Sequence, residues 1–267
     1  MKRFMIVSKQ RSGTNHFVSL LKSHPQIACF GEVFRDGYNV PELIGEAFAH
    51  YAPTEARKTD PDRFLDDLEE FVKTDAYVKF AAHLKDGSFL DPAAYQHYAS
   101  YVNSDIDVLG FKVFPKQFLP VTQVAHRAGL QIIRLVRTNL LAIYSSSQIA
   151  KLTGQGTALV HQEVQRSKLD FDAKHFERFI TALNAKDDDV NKALQIIPED
   201  RIFEMEYSDL GSERVLENLL NFLGVEPRQM TSLTQKRNPS RIVDRFNNPG
   251  TVMAYLEQHQ LTTWAEE

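Results

Sequence analysis

Apolar and polar positions along the chain switch repeatedly between two periods. Residues 3–8 form a nearly continuous apolar run around Phe4-Met5-Ile6-Val7, as expected of a strand covered on both faces. Phe17, Leu20 and Leu21 then recur at helical spacing and predict a helix over 14–23. His24-Pro25 closes it, because the residue before proline is pushed out of the α region. Residues 27–30 read as a second strand, with Gly31-Glu32 at its carboxyl end. Residues 108–113 read as a third strand before a helix near 117–127, and 131–136 as a fourth before a helix over 138–150. Phe176, Phe179, Ile180, Leu183, Val190 and Leu194 mark a long helix. Residues 201–205 read as a fifth strand. Val215, Leu216, Leu219, Leu220 and Leu223 predict a helix closed by Gly224, and a last helix falls near 251–259. Strands alternating with helices predict an α/β fold: a doubly wound parallel sheet of about five strands with helices on both faces.

The pattern changes between about 41 and 104. Asp60-Pro61 is a helix start with proline at the first helical position, followed by a stripe of Phe64, Leu65, Leu68, Phe71 and Val72. Asp91-Pro92 repeats that start, continued by Tyr95, Tyr98 and Val102. The expected organisation is one domain over 1–267 with a helical insertion at about 41–104. The acidic run at 62–70 reads as a solvated face.

Composition narrows the choices. The chain has 267 residues, 43% apolar and 25% charged, enough to bury a sizeable core without staples. A net charge of -4 provides no general basic field, which argues against nucleic acid as a partner. Any anion must therefore be held at a local site. One cysteine, Cys29, excludes an internal disulfide and a cysteine metal cluster. No apolar run is long enough to span a membrane, and residues 4–7 are too short for a signal peptide. A cytoplasmic location is expected, with no sign of oligomerisation. His83, His97 and His161 have no partners at metal-ligand spacing, so no metal is expected.

Lys9-Gln10-Arg11-Ser12-Gly13-Thr14-Asn15-His16 joins the first strand to the first helix. A strand, a small-residue turn and a helix start make an anion cradle of the P-loop type. The turn lacks the Gly-Lys-[Ser/Thr] of a nucleoside-triphosphate loop, and its cation, Arg11, precedes the glycine. A plain strand-to-helix turn with a Ser or Thr cap is the alternative. Arg137 at the end of strand four and Ser145 two helical turns on can reach one further anion; Ser145 can equally bond back into its own helix. Glu32, beside the loop, suits either a general base or an ion pair with Arg11 or Arg35. Lys112, at the end of strand three, is either a second cation on the transferring group or a strand-end lysine in solvent. His16 can touch a ligand held by the loop. Tyr95, Tyr98 and Tyr101 suit sugar stacking or, more simply, packing.

Together these pieces resemble the sulfotransferases that use 3′-phosphoadenosine-5′-phosphosulfate (PAPS). Gln10-Arg11-Ser12-Gly13-Thr14-Asn15 is similar to their 5′-phosphosulfate loop, and Arg137-x₇-Ser145 has the spacing of their 3′-phosphate motif. The segment from Ser23-His24-Pro25 to Cys29-Phe30-Gly31-Glu32 resembles the one carrying the base carboxylate in bacterial and glycan members. Gly110-Phe111-Lys112 and the run from Arg134 to Leu140 resemble the bacterial Nod-factor-type branch. The resemblance implies that Ser12, Gly13, Thr14 and Asn15 hold the 5′-phosphate. Arg11 would stand where the family more often has a lysine at the bridging oxygen. Arg137 and Ser145 would hold the 3′-phosphate, and Glu32 would take a proton from an acceptor hydroxyl. Lys236 and Arg237 fall roughly where a basic loop closes over the nucleotide. Adenosine 3′,5′-bisphosphate would be the product, and a carbohydrate or glycolipid the acceptor. Thr251, Val252 and Glu257 resemble a dimer motif, but Asn247 stands where that motif has Lys. A P-loop kinase or NTPase and a non-catalytic nucleotide-binding module are the rival readings.

Overall fold

A computed structural model describes residues 1–35, 59–74, 77, 106–160, 162–238 and 241–267. Its centre is a five-stranded sheet, all parallel. The strands are β1 (Lys2–Ser8), β2 (Ile27–Phe30), β3 (Val108–Val113), β4 (Gln131–Val136) and β5 (Ile202–Glu206), in the order β2-β3-β1-β4-β5. β1 pairs with β3 on one side and β4 on the other. Chain order reverses at this central strand, so its carboxyl end is a switch point where α/β sheets bind ligands.

Alternation along β1 feeds two cores. Met5 and Val7 face a cluster closed by α2 (Pro61–Val72), α3 (Pro115–Arg127) and α5 (Ala173–Leu194). Phe4 and Ile6 face the other, closed by α1 (Thr14–Lys22) and α6 (Glu213–Leu223). A third cluster joins α4 (Leu140–Thr153) to α5 and α7 (Pro249–Gln258) around Tyr144, Phe176 and Phe246. The sheet is thus covered on both faces, as the apolar runs of β1, β2 and β3 require.

The observed boundaries follow local capping chemistry. Asp60 accepts from Arg63 N at 3.1 Å with Pro61 in the first turn, so α2 starts where the sequence predicts. Its stripe of Phe64, Leu65, Leu68, Phe71 and Val72 is buried in the same cluster as the sheet. α3 starts earlier than expected because Pro115 opens it. α4 starts later, because Asn139 Oδ1 accepts from Ala142 N at 2.9 Å, and Gly154 closes it with φ 67°. β5 is shifted one residue from the expected 201–205, because a 3₁₀ turn, Glu199–Arg201, precedes it. Most of the expected insertion, including Asp91-Pro92 and its helix, lies outside the described residues.

Candidate active site

All five strands deliver their carboxyl ends to one cleft of about 500 Å³, a size that suits a small ligand. The chain leaving β1 contributes Arg11 to His16, and the chain leaving β2 contributes Glu32 and Arg35. β3 carries Lys112 next to its last residue, β4 is followed by Arg137 and β5 by Tyr207. Lys236, Arg237 and Arg245 close the cleft from the C-terminal region. Among the described residues, seven lysines and arginines line it against two carboxylates, Glu32 and Glu267. A chain of net charge -4 therefore carries a strongly cationic cleft.

The β1–α1 turn is held in a demanding backbone. Gly13 caps α1 at φ 79°, and Arg11 is left-handed at φ 67°, a conformation rare for side-chain-bearing residues. A Cβ on Gly13 would lie 2.6 Å from the Tyr207 ring, so glycine is needed for space as well as for angle. No side chain caps α1, which leaves its first N–H groups available to an anion. Ser12 is fully buried, and its Oγ has no hydrogen-bond partner among the described residues. Arg11 Nε donates to Ser146 Oγ at 3.1 Å. Burial first, and then Arg237, lower the Arg11 pKa to about 10, which still leaves a cation at neutral pH. Asn15 bridges the cleft: its amide donates to Thr157 Oγ1, and its Oδ1 accepts from Lys112 Nζ. His16 Nδ1 lies 2.9 Å from Thr234 Oγ1, and burial lowers its pKa.

Glu32 sits at the other side of this turn. Lys112 Nζ is 3.6 Å from its Oε1, and Arg35 Nε is 3.8 Å from its Oε2. Gln117 Nε2 donates to Oε2 at 3.3 Å. Phe114 N donates to Gln117 Oε1 at 2.7 Å, and this bond fixes which end of the amide faces Glu32. Lys112 is buried at a strand end, where solvent was one expectation. Burial lowers its pKa and Glu32 raises it. Of the two ion pairs weighed for Glu32, the structure has the one with Arg35; Arg11 turns to Ser146 instead.

A second cationic cluster surrounds Arg137. Its guanidinium stacks 4.2 Å from the Tyr207 ring centroid, and its Nη1 donates to Arg11 O. The ring that limits Gly13 thus also supports Arg137, which couples the two halves of the cleft. Arg245, unnoticed in the sequence, lies 2% exposed beside it. Burial and then Arg137 lower the Arg245 pKa to about 9. One expectation needs correction. Ser145 does not line the cleft: it is fully buried, donates to Ala142 O at 3.2 Å and accepts from Arg245 Nη1 at 3.0 Å. Ser146, one helical step away, faces the cleft. Ser145 therefore bears on the cluster only through Arg245.

Four buried polar atoms here, Ser12 Oγ, Arg137 Nε and Arg237 Nε and Nη1, have no hydrogen-bond partner among the described residues. Buried donors of this kind are costly unless an anion or water satisfies them. The residues present thus fit a ligand with two separate anionic groups. Tyr95, Tyr98, Tyr101, His83, His97 and His161 lie outside the described residues.

The fold and the cleft define a class: an α/β protein with a cationic cleft at the switch point of a parallel sheet. The sequence matches the profile of the sulfotransferase family over residues 3–229, and the chain belongs to that family. It is a sulfotransferase enzyme. A search of curated proteins returns no match. Among solved structures it is similar to a sulfotransferase from Alicyclobacillus acidocaldarius at 14% identity and TM-score 0.46, covering 99% of this chain and 98% of that one. It is also similar to the sulfotransferase domain of the curacin biosynthetic pathway, at 14% identity, TM-score 0.45 and coverages of 96% and 98%. The sulfotransferase domain of the Synechococcus PCC 7002 olefin synthase gives 16% identity, TM-score 0.42 and coverages of 100% and 95%.

Proposed function

We propose that this sulfotransferase moves a sulfuryl group from PAPS to an acceptor hydroxyl, with Glu32 as general base. The observation that carries the reading is the pairing of two cationic subsites in one cleft, the β1–α1 turn and the Arg137 cluster, joined through Tyr207. A nucleotide with anions at both the 5′ and 3′ positions matches two such subsites. PAPS, when bound, supplies the sulfuryl group and departs as adenosine 3′,5′-bisphosphate. The backbone and hydroxyls of Ser12, Gly13, Thr14 and Asn15 would hold the 5′-phosphate, and Arg137 the 3′-phosphate, with Lys236 and Arg237 above the nucleotide. Glu32 takes the proton from the acceptor oxygen, held in place by Lys112 and Gln117. Arg11 and Lys112 stabilise charge on the transferring group and the leaving oxygen. Sulfuryl transfer develops less charge than phosphoryl transfer, which suits preorganised dipoles and two cations. The acceptor is proposed to be a carbohydrate or glycolipid, in keeping with the Nod-factor-type motifs, in a single cytoplasmic domain.

Labelled sulfate transfer from PAPS to a panel of glycan, lipid and phenolic acceptors tests the reading. Glu32→Gln is expected to lose most turnover while nucleotide binding is kept. Arg137→Ala is expected to weaken adenosine 3′,5′-bisphosphate far more than its 3′-dephospho analogue. Preference for ATP·Mg²⁺ over the bisphosphate in calorimetry would overturn the assignment.

A further inference from the structure

Glu267 sits inside the Arg137 subsite. Its Oε1 pairs with Arg137 Nη2, and its Oε2 lies 3.4 Å from both Lys236 Nζ and Arg245 Nη2. Its side chain is only 9% exposed, and both guanidiniums are buried. This differs from a surface ion pair, which solvent screens to little net value. One carboxylate is shared by three converging cations.

The segment carrying Glu267 is docked in place. Residues Thr262–Ala265 form a 3₁₀ turn, and Leu261, Trp264 and Ala265 pack on the cluster around α4 and α7. Asn139 Nδ2 donates to Trp264 O at 3.2 Å and to Glu266 O at 2.9 Å. Asn139 is also the cap of α4, two residues beyond Arg137. The turn that supplies the subsite's cation therefore also holds the segment that covers it. A carboxylate and a phosphate monoester make the same charge-assisted bonds to arginine and lysine, so both compete for these donors.

We propose that Glu267 is an internal competitor at the Arg137–Lys236–Arg245 subsite, and that a 3′-phosphate binds there by displacing it. The proposal rests on the PAPS reading for the identity of its ligand. Its consequence is selectivity. A nucleotide with a 3′-phosphate carries an anion able to replace the carboxylate, whereas a 3′-dephospho nucleotide leaves the segment docked. The apparent affinity for the bisphosphate is then reduced by the fraction of molecules in which the segment is docked.

Calorimetry with adenosine 3′,5′-bisphosphate and adenosine 5′-monophosphate on the full chain and on Glu267→Ala tests this. The variant is expected to bind the bisphosphate about tenfold more tightly, as for a site freed from a segment docked about nine-tenths of the time, with the monophosphate unchanged. Trp264 is the only tryptophan, so its fluorescence reports the docked segment directly. Bisphosphate should shift that fluorescence in the unmodified chain, and monophosphate should not. Removing residues 265–267 keeps Trp264 and should reproduce the tighter binding. Equal or weaker bisphosphate affinity in both variants overturns the proposal while leaving the PAPS reading intact. Bisphosphate binding absent from every form overturns the PAPS reading and this proposal together.

Discussion

Gln117 carries two tasks with one amide. Its Oε1 accepts from Phe114 N and caps α3, and its Nε2 donates to Glu32 Oε2. Because the first bond fixes the amide, the second holds the carboxylate that would receive the acceptor proton. Gln117→Glu keeps an acceptor for Phe114 N but sets a second carboxylate against Glu32. Two like charges at this distance repel, so Glu32 should turn from its place and kcat should fall about tenfold. Bisphosphate affinity should be unchanged, since Gln117 does not line the cleft. An unchanged kcat would show that Gln117 serves only as a cap. At this scale the sequence made Glu32, Arg11 and Arg137 legible, because each follows directly from a recognisable apolar strand. It did not distinguish Ser145 from Ser146. One residue in a helix rotates a side chain by about 100°, and spacing from Arg137 alone cannot say which hydroxyl faces the cleft.

The elements were legible where burial on both faces leaves an uninterrupted apolar run or a cap leaves a polar mark. β1, β2 and β3 are of the first kind, β4 and β5 are interrupted by Arg134 and Glu204, and α2 and α6 are of the second kind. Gly110 shows what the pattern hides. It lies in the middle of β3, where glycine ordinarily weakens a strand. A Cβ there would sit 1.9 Å from Phe4 Cζ on the neighbouring strand β1, so the phenyl ring occupies the space a side chain would take. Gly110→Ala is expected to destabilise the fold by about 1–3 kcal/mol, the cost of overpacking a filled core. Phe4→Leu in the same chain should recover part of that loss, because the shorter side chain leaves room. Chemical denaturation of the two single variants and the double variant measures this. Additive losses would show that the ring and the glycine are not coupled.

At the scale of the molecule, the sheet order β2-β3-β1-β4-β5 gathers groups from all five strand ends, far apart in the chain, into one cleft. The same long-range assembly explains what the sequence concealed. Arg245 lies in a short 3₁₀ turn, Ile242–Arg245, and not at the end of an apolar strand that would announce a site. It reaches the cleft because Leu169 pairs with Phe246 and the Tyr144–Phe246 cluster seats that turn against α4. Charge is also arranged at this scale. A chain of net charge -4 repels anions weakly overall, while seven cations in the cleft attract them at short range. Such a local field is screened over about 8–10 Å at ordinary salt and about 3 Å at 1 M. The association rate of adenosine 3′,5′-bisphosphate should therefore fall about tenfold between low salt and roughly 0.5 M, while that of uncharged adenosine stays constant. Stopped-flow binding with both ligands separates the two cases. A bisphosphate rate insensitive to salt would mean that the cleft's cations are already neutralised by their own partners and contribute no steering.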